Sequence, residues 1–258
     1  MGQAIGQCAL ADGAFGIRAA LESKGHEAIG RDYGTVLGRP IASALRVVAD
    51  ERLAISQGDV LIDFTVPEAT VAHAQLAQEL RKPMVIGTTG FSEDHMKKLR
   101  AVAKTIPIVL SPNMSVGVNV LFELAQLAAQ HLGPDYDVEV VEAHHHQKKD
   151  APSGTAKRLA QAAGEGRGRS AADIPVHALR AGDIVGDHTV IFAGPSERLE
   201  LVHRAHSRDA FAVGALRAAR FAHGRRAGLY SMVDVLKQAV RPGVARVSRA
   251  ATRSRTQR

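Results

Sequence analysis

Between residues 60 and 110 short apolar runs alternate with helix-length amphipathic stretches: Val60 to Phe64, Pro67 to Leu80, Pro83 to Ile86, Ser92 to Ala103 and Ile106 to Leu110. The apolar runs are too short for helices, and each is followed by enough chain to cross back over a sheet. That alternation predicts βαβ units and a parallel sheet. Ligands of open α/β sheets bind at the carboxyl ends of strands. Three such ends stand out: Asp63-Phe64-Thr65, Gly87-Thr88-Thr89-Gly90 and Ser111-Pro112-Asn113.

Past Val116 the pattern changes. A helical period runs from Val118 to about His131, and Tyr136 to Glu142 alternates like a half-buried strand. Strand-like runs follow at Asp183 to Phe192 and Arg198 to His203, close enough together for an antiparallel or mixed sheet in a second, inserted α+β domain. Arg208 to Leu236 reads as helical with a loop near Gly224 to Gly228, and Gly164 to Gly168 reads as a surface loop.

Charge bears on partners through its position. The 258 residues include 33 Lys and Arg against 26 Asp and Glu, a formal +7. Seven basic residues and no acidic one fall between Lys237 and Arg258, so residues 1–236 are formally neutral. A short basic segment with Pro242, Gly243 and no apolar period reads as a disordered tail rather than a nucleic-acid arm. The body has no Trp and 4% aromatic residues, too few for the stacking surfaces of a single-strand binder. No nucleic-acid partner is expected. Cys8 is the only cysteine, so no intrachain disulfide forms, and it reads as a small buried residue in a reducing compartment. No basic segment precedes an apolar run at the start, and Asn119, Glu123 and Gln126 interrupt the most apolar stretches. Neither a signal peptide nor a spanning helix is indicated, so no membrane partner and a cytoplasmic location are expected.

The densest chemistry lies in Glu142-Ala143-His144-His145-His146-Gln147-Lys148-Lys149-Asp150-Ala151-Pro152-Ser153-Gly154-Thr155. This run leaves a strand, gathers imidazoles and ammonium groups in a loop, and opens a helix. A metal site fits poorly, because adjacent His side chains on extended backbone point to opposite faces and Cys8 is far away in sequence; no metal is expected. A merely solvated loop does not require Pro152-Ser153-Gly154-Thr155 before a helical run. Ser153 or Asp150 can cap that helix, while Gly154 lets a ligand approach and leaves the first N–H groups free for an anion. His144, His145 and Lys148 would then face a carboxylate-bearing substrate with positive charge and a proton supply.

The same run resembles the signature loop of the 4-hydroxy-tetrahydrodipicolinate reductase family, formerly called dihydrodipicolinate reductases, of bacterial diaminopimelate and lysine synthesis. Similar in order and spacing are Ile62 to Thr65, Val85 to Gly90, Asn113 to Asn119, Arg180 to Gly186 with His188, His203 to Arg208 followed by Phe211, and Gly228 to Tyr230 with Asp234 to Leu236. Several independent motifs in one order, covering nearly the whole chain up to Leu236, weigh far more than one short pattern.

The resemblance implies an α/β fold: a Rossmann-like dinucleotide-binding domain over 1–114 plus 209–236, an inserted α+β substrate and oligomerisation domain over 115–208, and a basic tail over 237–258. It implies reduction of 4-hydroxy-tetrahydrodipicolinate to tetrahydrodipicolinate by hydride transfer from NADH or NADPH with loss of water. By motif position, His144 is the proton-transfer residue and Lys148 the proton donor, while His145, Gly154 and Thr155 contact the dicarboxylate substrate. Gly87, Thr88 and Thr89, with Ser111, Pro112, Asn113 and Met114, line the cofactor. Arg208 and Phe211 sit near the interdomain hinge and reach it. A homotetramer built through the inserted sheets is implied as well.

Such a domain opens with a strand and a glycine-rich turn that cradles the pyrophosphate. The sequence here opens at Met1-Gly2-Gln3-Ala4-Ile5, similar to the Met-Gly that enters the family's first helix, with Gly2 as the remnant of the fingerprint. The expectation is a dinucleotide domain without its first strand, folding or binding less well for the lost ladders. The alternative reading is therefore a truncated, catalytically impaired dicarboxylate-binding homologue. Ala19-Ala20-Leu21-Glu22 fits the end of the second strand, where a carboxylate accepts ribose hydroxyls, so Glu22 leans toward NAD. Ser23 and Lys24 can receive a 2′-phosphate, which leaves both cofactors open. Gln147 stands where the family often has another basic residue.

Overall fold

The structure, a computed structural model, describes residues 1–39 and 45–239. The chain runs α1 (Gly2–Ala11), β1 (Ala20–Leu21), α2 (Tyr33–Leu37), β2 (Val47–Val48), α3 (Glu51–Gln57), β3 (Leu61–Asp63), α4 (Pro67–Glu79), β4 (Met84–Ile86), α5 (Glu93–Val102) and β5 (Pro107–Leu110). It continues through α6 (Val116–Leu132), β6 (Asp137–His144), α7 (Gly154–Arg167), β7 (Val176–Arg180), β8 (Asp187–Ala193), β9 (Arg198–Arg204), α8 (Asp209–Ala222), β10 (Gly228–Tyr230) and α9 (Met232–Ala239). Residues 237–239, expected as the start of the tail, close α9; the rest of that segment lies outside the described residues.

The apolar runs form a parallel sheet in the order β10, β5, β4, β3. Successive side chains of a strand face opposite ways. Met84, Ile86 and Ile108 therefore pack against α4 and α5, while Val85 and Val109 meet α8. With both faces covered, β4 and β5 read as unbroken apolar runs. β1 and β2 form a separate parallel pair, and among the described residues no strand bridges β1 to β3. Helix α1 lies on α8, with Ile5 packed against the same core as Val85.

A second, mixed sheet has the order β7, β6, β8, β9, with β7 parallel to β6 and the other neighbours antiparallel. Its inner face packs on α6 and α7 through Val138, Val140, Val190 and Phe192.

Three sequence expectations are corrected. Gly164 to Gly168 is not a loop: α7 continues through Arg167, and Gly168 ends it with φ 63°. A Cβ at Gly166 would stand 2.3 Å from the Gln126 carbonyl oxygen, so the glycine lets α7 close onto α6. Strand β8 starts at Asp187 rather than near Asp183, because the Gly182 and Ile184 carbonyls accept hydrogen bonds from the His146 and His145 backbone N–H groups. The stretch near Gly228 is the start of β10, paired with β5.

Candidate active site

β6 ends where α7 begins, and the alternation of the strand decides what meets there. After Val138 and Val140, the next two inward positions put Glu142 and His144 into the same buried layer. An unpaired buried carboxylate costs several kcal/mol, on the order of 3–5, so Glu142 is held from several sides. Arg180, which the β7 register sets opposite His144, donates from both terminal nitrogens at 2.9 Å. His144 Nδ1 lies 2.5 Å from Oε2, and the Ser153 N–H donates to Oε1 at 3.0 Å. Burial opposes ionisation of Glu142, but the bonds from Arg180, His144 and Ser153 outweigh it and hold the carboxyl below its usual value.

An ionised carboxylate only accepts, so His144 Nδ1 carries a proton and Nε2 is left to exchange one with a ligand. Burial lowers the His144 pKa against the pull of Glu142, with the Lys148 and Arg180 charges adding to the lowering. The lowering favours the neutral imidazole. Gly186 makes room for it, since a Cβ there would stand 3.0 Å from Nε2.

Two more histidines back this layer. The register lines up Glu142, His188 and His203 across β6, β8 and β9. The His188 ring meets His144 edge-on, centroids 5.1 Å apart, with its Nε2 3.3 Å from Ser153 Oγ. Burial and the neighbouring His144 push the His188 pKa down to about 3, so it stays neutral.

Ser153 caps α7, accepting the Ala156 N–H at 3.1 Å. Nothing stands within 4 Å of where a Gly154 Cβ would be, so the first turn of the helix is open. Free N–H groups and the positive end of the helix dipole suit an anion there. Asn113, just past β5, reaches this turn: its Nδ2 donates to Thr155 Oγ1 at 3.0 Å while its Oδ1 accepts the Ser115 N–H at 2.8 Å. The Ser115 donor fixes which end of the amide is which. Thr155, accepting from Asn113, keeps its own proton to offer a carboxylate. Lys148 is ion-paired with Asp150 at 2.8 Å, and its backbone N–H donates to the carbonyl of half-buried His145.

At the carboxyl ends of β3 and β4, the Phe64 ring lies against Gly87, where any Cβ would be 2.1 Å from it. Thr88 is buried, and its hydroxyl accepts the Thr65 N–H at 3.0 Å and meets Thr70 Oγ1 at 2.8 Å. An internal network thus occupies the Thr88 hydroxyl and leaves its backbone to face a ligand; Thr89 next to it is exposed. Ser111 and Met114 are buried and shape the turn, Ser111 donating to the Asn113 carbonyl at 2.7 Å, while Pro112 is exposed. Glu22 is exposed on the β1–β2 side, with Oε1 accepting from the Ser23 N–H and hydroxyl at 2.8 and 3.2 Å. A groove of about 490 Å³ opens past the ends of β1 and β2, lined by Lys24, Ala49, Asp50, Glu51, Arg52 and Leu76. Arg208 is exposed at the start of α8 and Phe211 half-buried in its first turn.

His144, His145, Lys148, Gly154, Thr155 and Asn113 therefore share one corner, whereas no hydrogen bond among the described residues ties Glu22, Arg208 or Phe211 to it. Sequence reasoning missed Glu142 and Arg180 as site residues. The alternation of β6 carried the signal for Glu142, since it turns a carboxylate inward.

Two family models cover nearly the whole chain: Dihydrodipicolinate reductase, N-terminus, over residues 1–114, and Dihydrodipicolinate reductase, C-terminus, over residues 117–236. The 4-hydroxy-tetrahydrodipicolinate reductase of Syntrophus aciditrophicus is 48% identical over 242 residues, covering 87% of this chain and 90% of the relative. That of Anaeromyxobacter dehalogenans is 47% identical over 254 residues, covering 92% and 93%. Among solved structures, a dipicolinate-bound dihydrodipicolinate reductase from Paenisporosarcina sp. TG-14 has a TM-score of 0.72 at 25% identity, covering 89% of this chain and 92% of that one.

Proposed function

The chain belongs to the dihydrodipicolinate reductase family, and from that premise we propose that it reduces 4-hydroxy-tetrahydrodipicolinate to tetrahydrodipicolinate, with loss of water, in diaminopimelate and lysine synthesis. The observation that carries this reading is the His144 imidazole, oriented by Glu142 and set beside the open first turn of α7.

The residues divide the work by their chemistry. The N–H groups at Gly154, the Thr155 hydroxyl and His145 take the substrate carboxylates. Lys148, its ammonium held by Asp150, supplies a proton to the ring as negative charge develops there. His144 Nε2 accepts or returns a proton during loss of water. A pyridine nucleotide supplies the hydride when bound. Support for one comes from Glu22, whose second carboxylate oxygen is left for ribose hydroxyls, and from Asn113, whose bond to Thr155 brings the turn after β5 to the reacting corner. Glu22 favours NADH, and Ser23 with Lys24 admits NADPH.

The test is loss of cofactor absorbance when the full chain meets the product of dihydrodipicolinate synthase. Lys148→Ala is expected to lower kcat by about 10²- to 10⁴-fold with little change in substrate KM. Undiminished kcat rejects the assignment. The separation of the β1–β2 pair from the main sheet favours a second reading, dicarboxylate binding without turnover. Calorimetric binding of dipicolinate with no cofactor oxidation selects it.

The same reading divides the chain into a cofactor part (1–114 plus 209–236) and a substrate part (115–208). It assembles four copies through the outward face of the second sheet, where Val141, Thr189 and Val202 form one cross-strand row and Val202 is 44% exposed. Val202→Glu is expected to break the tetramer in light scattering; an unaltered mass places the interface elsewhere.

A further inference from the structure

Away from the His144 corner, the described residues bury one further ion pair, which the proposed chemistry does not use. β3 ends on Asp63, 2% exposed, and α4 brings His73, 6% exposed, onto it with Nδ1 2.7 Å from Oδ2. The other oxygen, Oδ1, accepts the Thr65 N–H at 3.0 Å and the Thr65 hydroxyl at 2.7 Å. The buried hydroxyls of Thr70 and Thr88 lie 3.0 and 3.3 Å from the same atom. Thr88 Oγ1 also accepts the Thr65 N–H, at 3.0 Å. Glu51, which lines the groove at the ends of β1 and β2, stands 3.9 Å from His73 Nε2. Burial opposes charge on both members, yet their mutual bond outweighs it, with Asp63 held below its usual value and His73 above.

Stability alone does not account for such a cluster. Apolar side chains of the same volume hold a core as well or better than a buried ion pair. What a carboxylate with several donors supplies is geometry, since each donor must come to a fixed place. The donors here come from α4, from the turn after β3 and from the turn after β4. Those turns lie at the carboxyl ends of neighbouring parallel strands, where a ligand of such a sheet sits. Phe64, between Asp63 and Thr65, packs its ring on Gly87 and ties the same turns a second time.

We propose that Asp63 and His73 are positioning residues for the cofactor: their buried pair, extended through Thr65, Thr70 and Thr88, locks the turns after β3 and β4 in the arrangement that presents Gly87–Thr89 to the pyridine nucleotide. The proposal rests on the reductase reading. It requires that breaking the network act on cofactor affinity before it acts on substrate affinity.

Asp63→Asn keeps the shape and removes the charge; Thr70→Val keeps the shape and removes a hydroxyl that Thr70→Ser restores. The full chain and these variants are compared for thermal melting, for NADH and NADPH Kd, and for the separate KM values of cofactor and substrate. Asp63→Asn and Thr70→Val are expected to raise the cofactor Kd and KM by about tenfold, with substrate KM changed less than about twofold and Thr70→Ser close to the parent. Equal rises in both KM values, or parental cofactor affinity in a folded variant, overturn the proposal and leave the reductase reading standing. Absence of cofactor binding and turnover in the parent chain overturns the reading and the proposal with it. If Asp63→Asn does not fold, the Thr70→Val and Thr70→Ser pair decides by the same comparison.

Discussion

Glu142 is the side chain on which its neighbours depend. It neutralises Arg180, fixes the proton on His144 Nδ1 and accepts the N–H of Ser153, the residue that caps α7. Glu142→Gln leaves a guanidinium without its counter-charge and offers His144 an amide that can face it with either end. A loss of about 3–5 kcal/mol in urea denaturation is expected, together with a fall in kcat; near-parental stability removes Glu142 from this role. His188 gives a pH test of the same layer. Its pKa is about 3 in the fold, against about 6.5 in an unfolded chain. As pH falls below about 6.5 the unfolded chain takes up a proton that the folded chain refuses, so stability drops by up to about 1.4 kcal/mol per unit from this group. Glu142, depressed in the fold, adds stability that is present above about 4.3 and lost as pH falls through its folded value. Between about pH 6.5 and 5 the histidine acts alone of the two, and His188→Gln is expected to flatten the slope of stability against pH there. An unchanged slope counts against a buried neutral His188.

Helix α7 carries glycines with opposite tasks. At Gly166 a Cβ would be driven into the Gln126 carbonyl, whereas at Gly154 it would meet open space. Gly166→Ala is expected to cost about 1–3 kcal/mol in chemical denaturation as α6 and α7 part. Gly154→Ala is expected to leave stability intact and to weaken dipicolinate binding in calorimetry, because the added methyl occupies the approach to the first helical turn. The reverse ranking contradicts this division. These glycines also show where sequence reading fails. Gly164, Gly166 and Gly168 look like a loop because glycine is a poor helix former, and only the packing of α7 on α6 overrides that preference. β10 is three residues long and begins on glycine; it becomes a strand because β5 offers it an edge. By contrast β3, β4 and β5 are readable directly as short apolar runs, continuous in β4 and β5 because both of their faces are buried. His144, Lys148 and Gly154 are readable for a different reason, as they lie within one short motif. Glu142 and Arg180 stand 38 residues apart in sequence and meet only through the register of β6 and β7.

At the scale of the whole molecule, the bond from Asn113 Nδ2 to Thr155 Oγ1 joins the strand-end turn assigned to the cofactor and the helix end assigned to the substrate. Asn113 is not free to give way. Its carbonyl accepts from Ser111 Oγ at 2.7 Å and Asn119 Nδ2 at 2.8 Å, and its side-chain oxygen accepts from Ser115 N–H at 2.8 Å. On the proposed assignment, a cofactor that orders the turn also orders the donor that sets the Thr155 hydroxyl, and a dicarboxylate on Thr155 steadies the turn in return. Linkage makes the effect reciprocal: each ligand must tighten the other by the same factor. One hydrogen bond of this kind is worth about 0.5–1.5 kcal/mol, a coupling of roughly two- to twelvefold. Calorimetry of dipicolinate with and without NADH is expected to show a coupling of that size in the parent chain and almost none in Asn113→Ala, whatever each ligand's own affinity becomes. A variant that keeps the parental coupling sends the communication through another contact between the two parts, and one that loses cofactor affinity outright makes Asn113 a direct cofactor ligand instead.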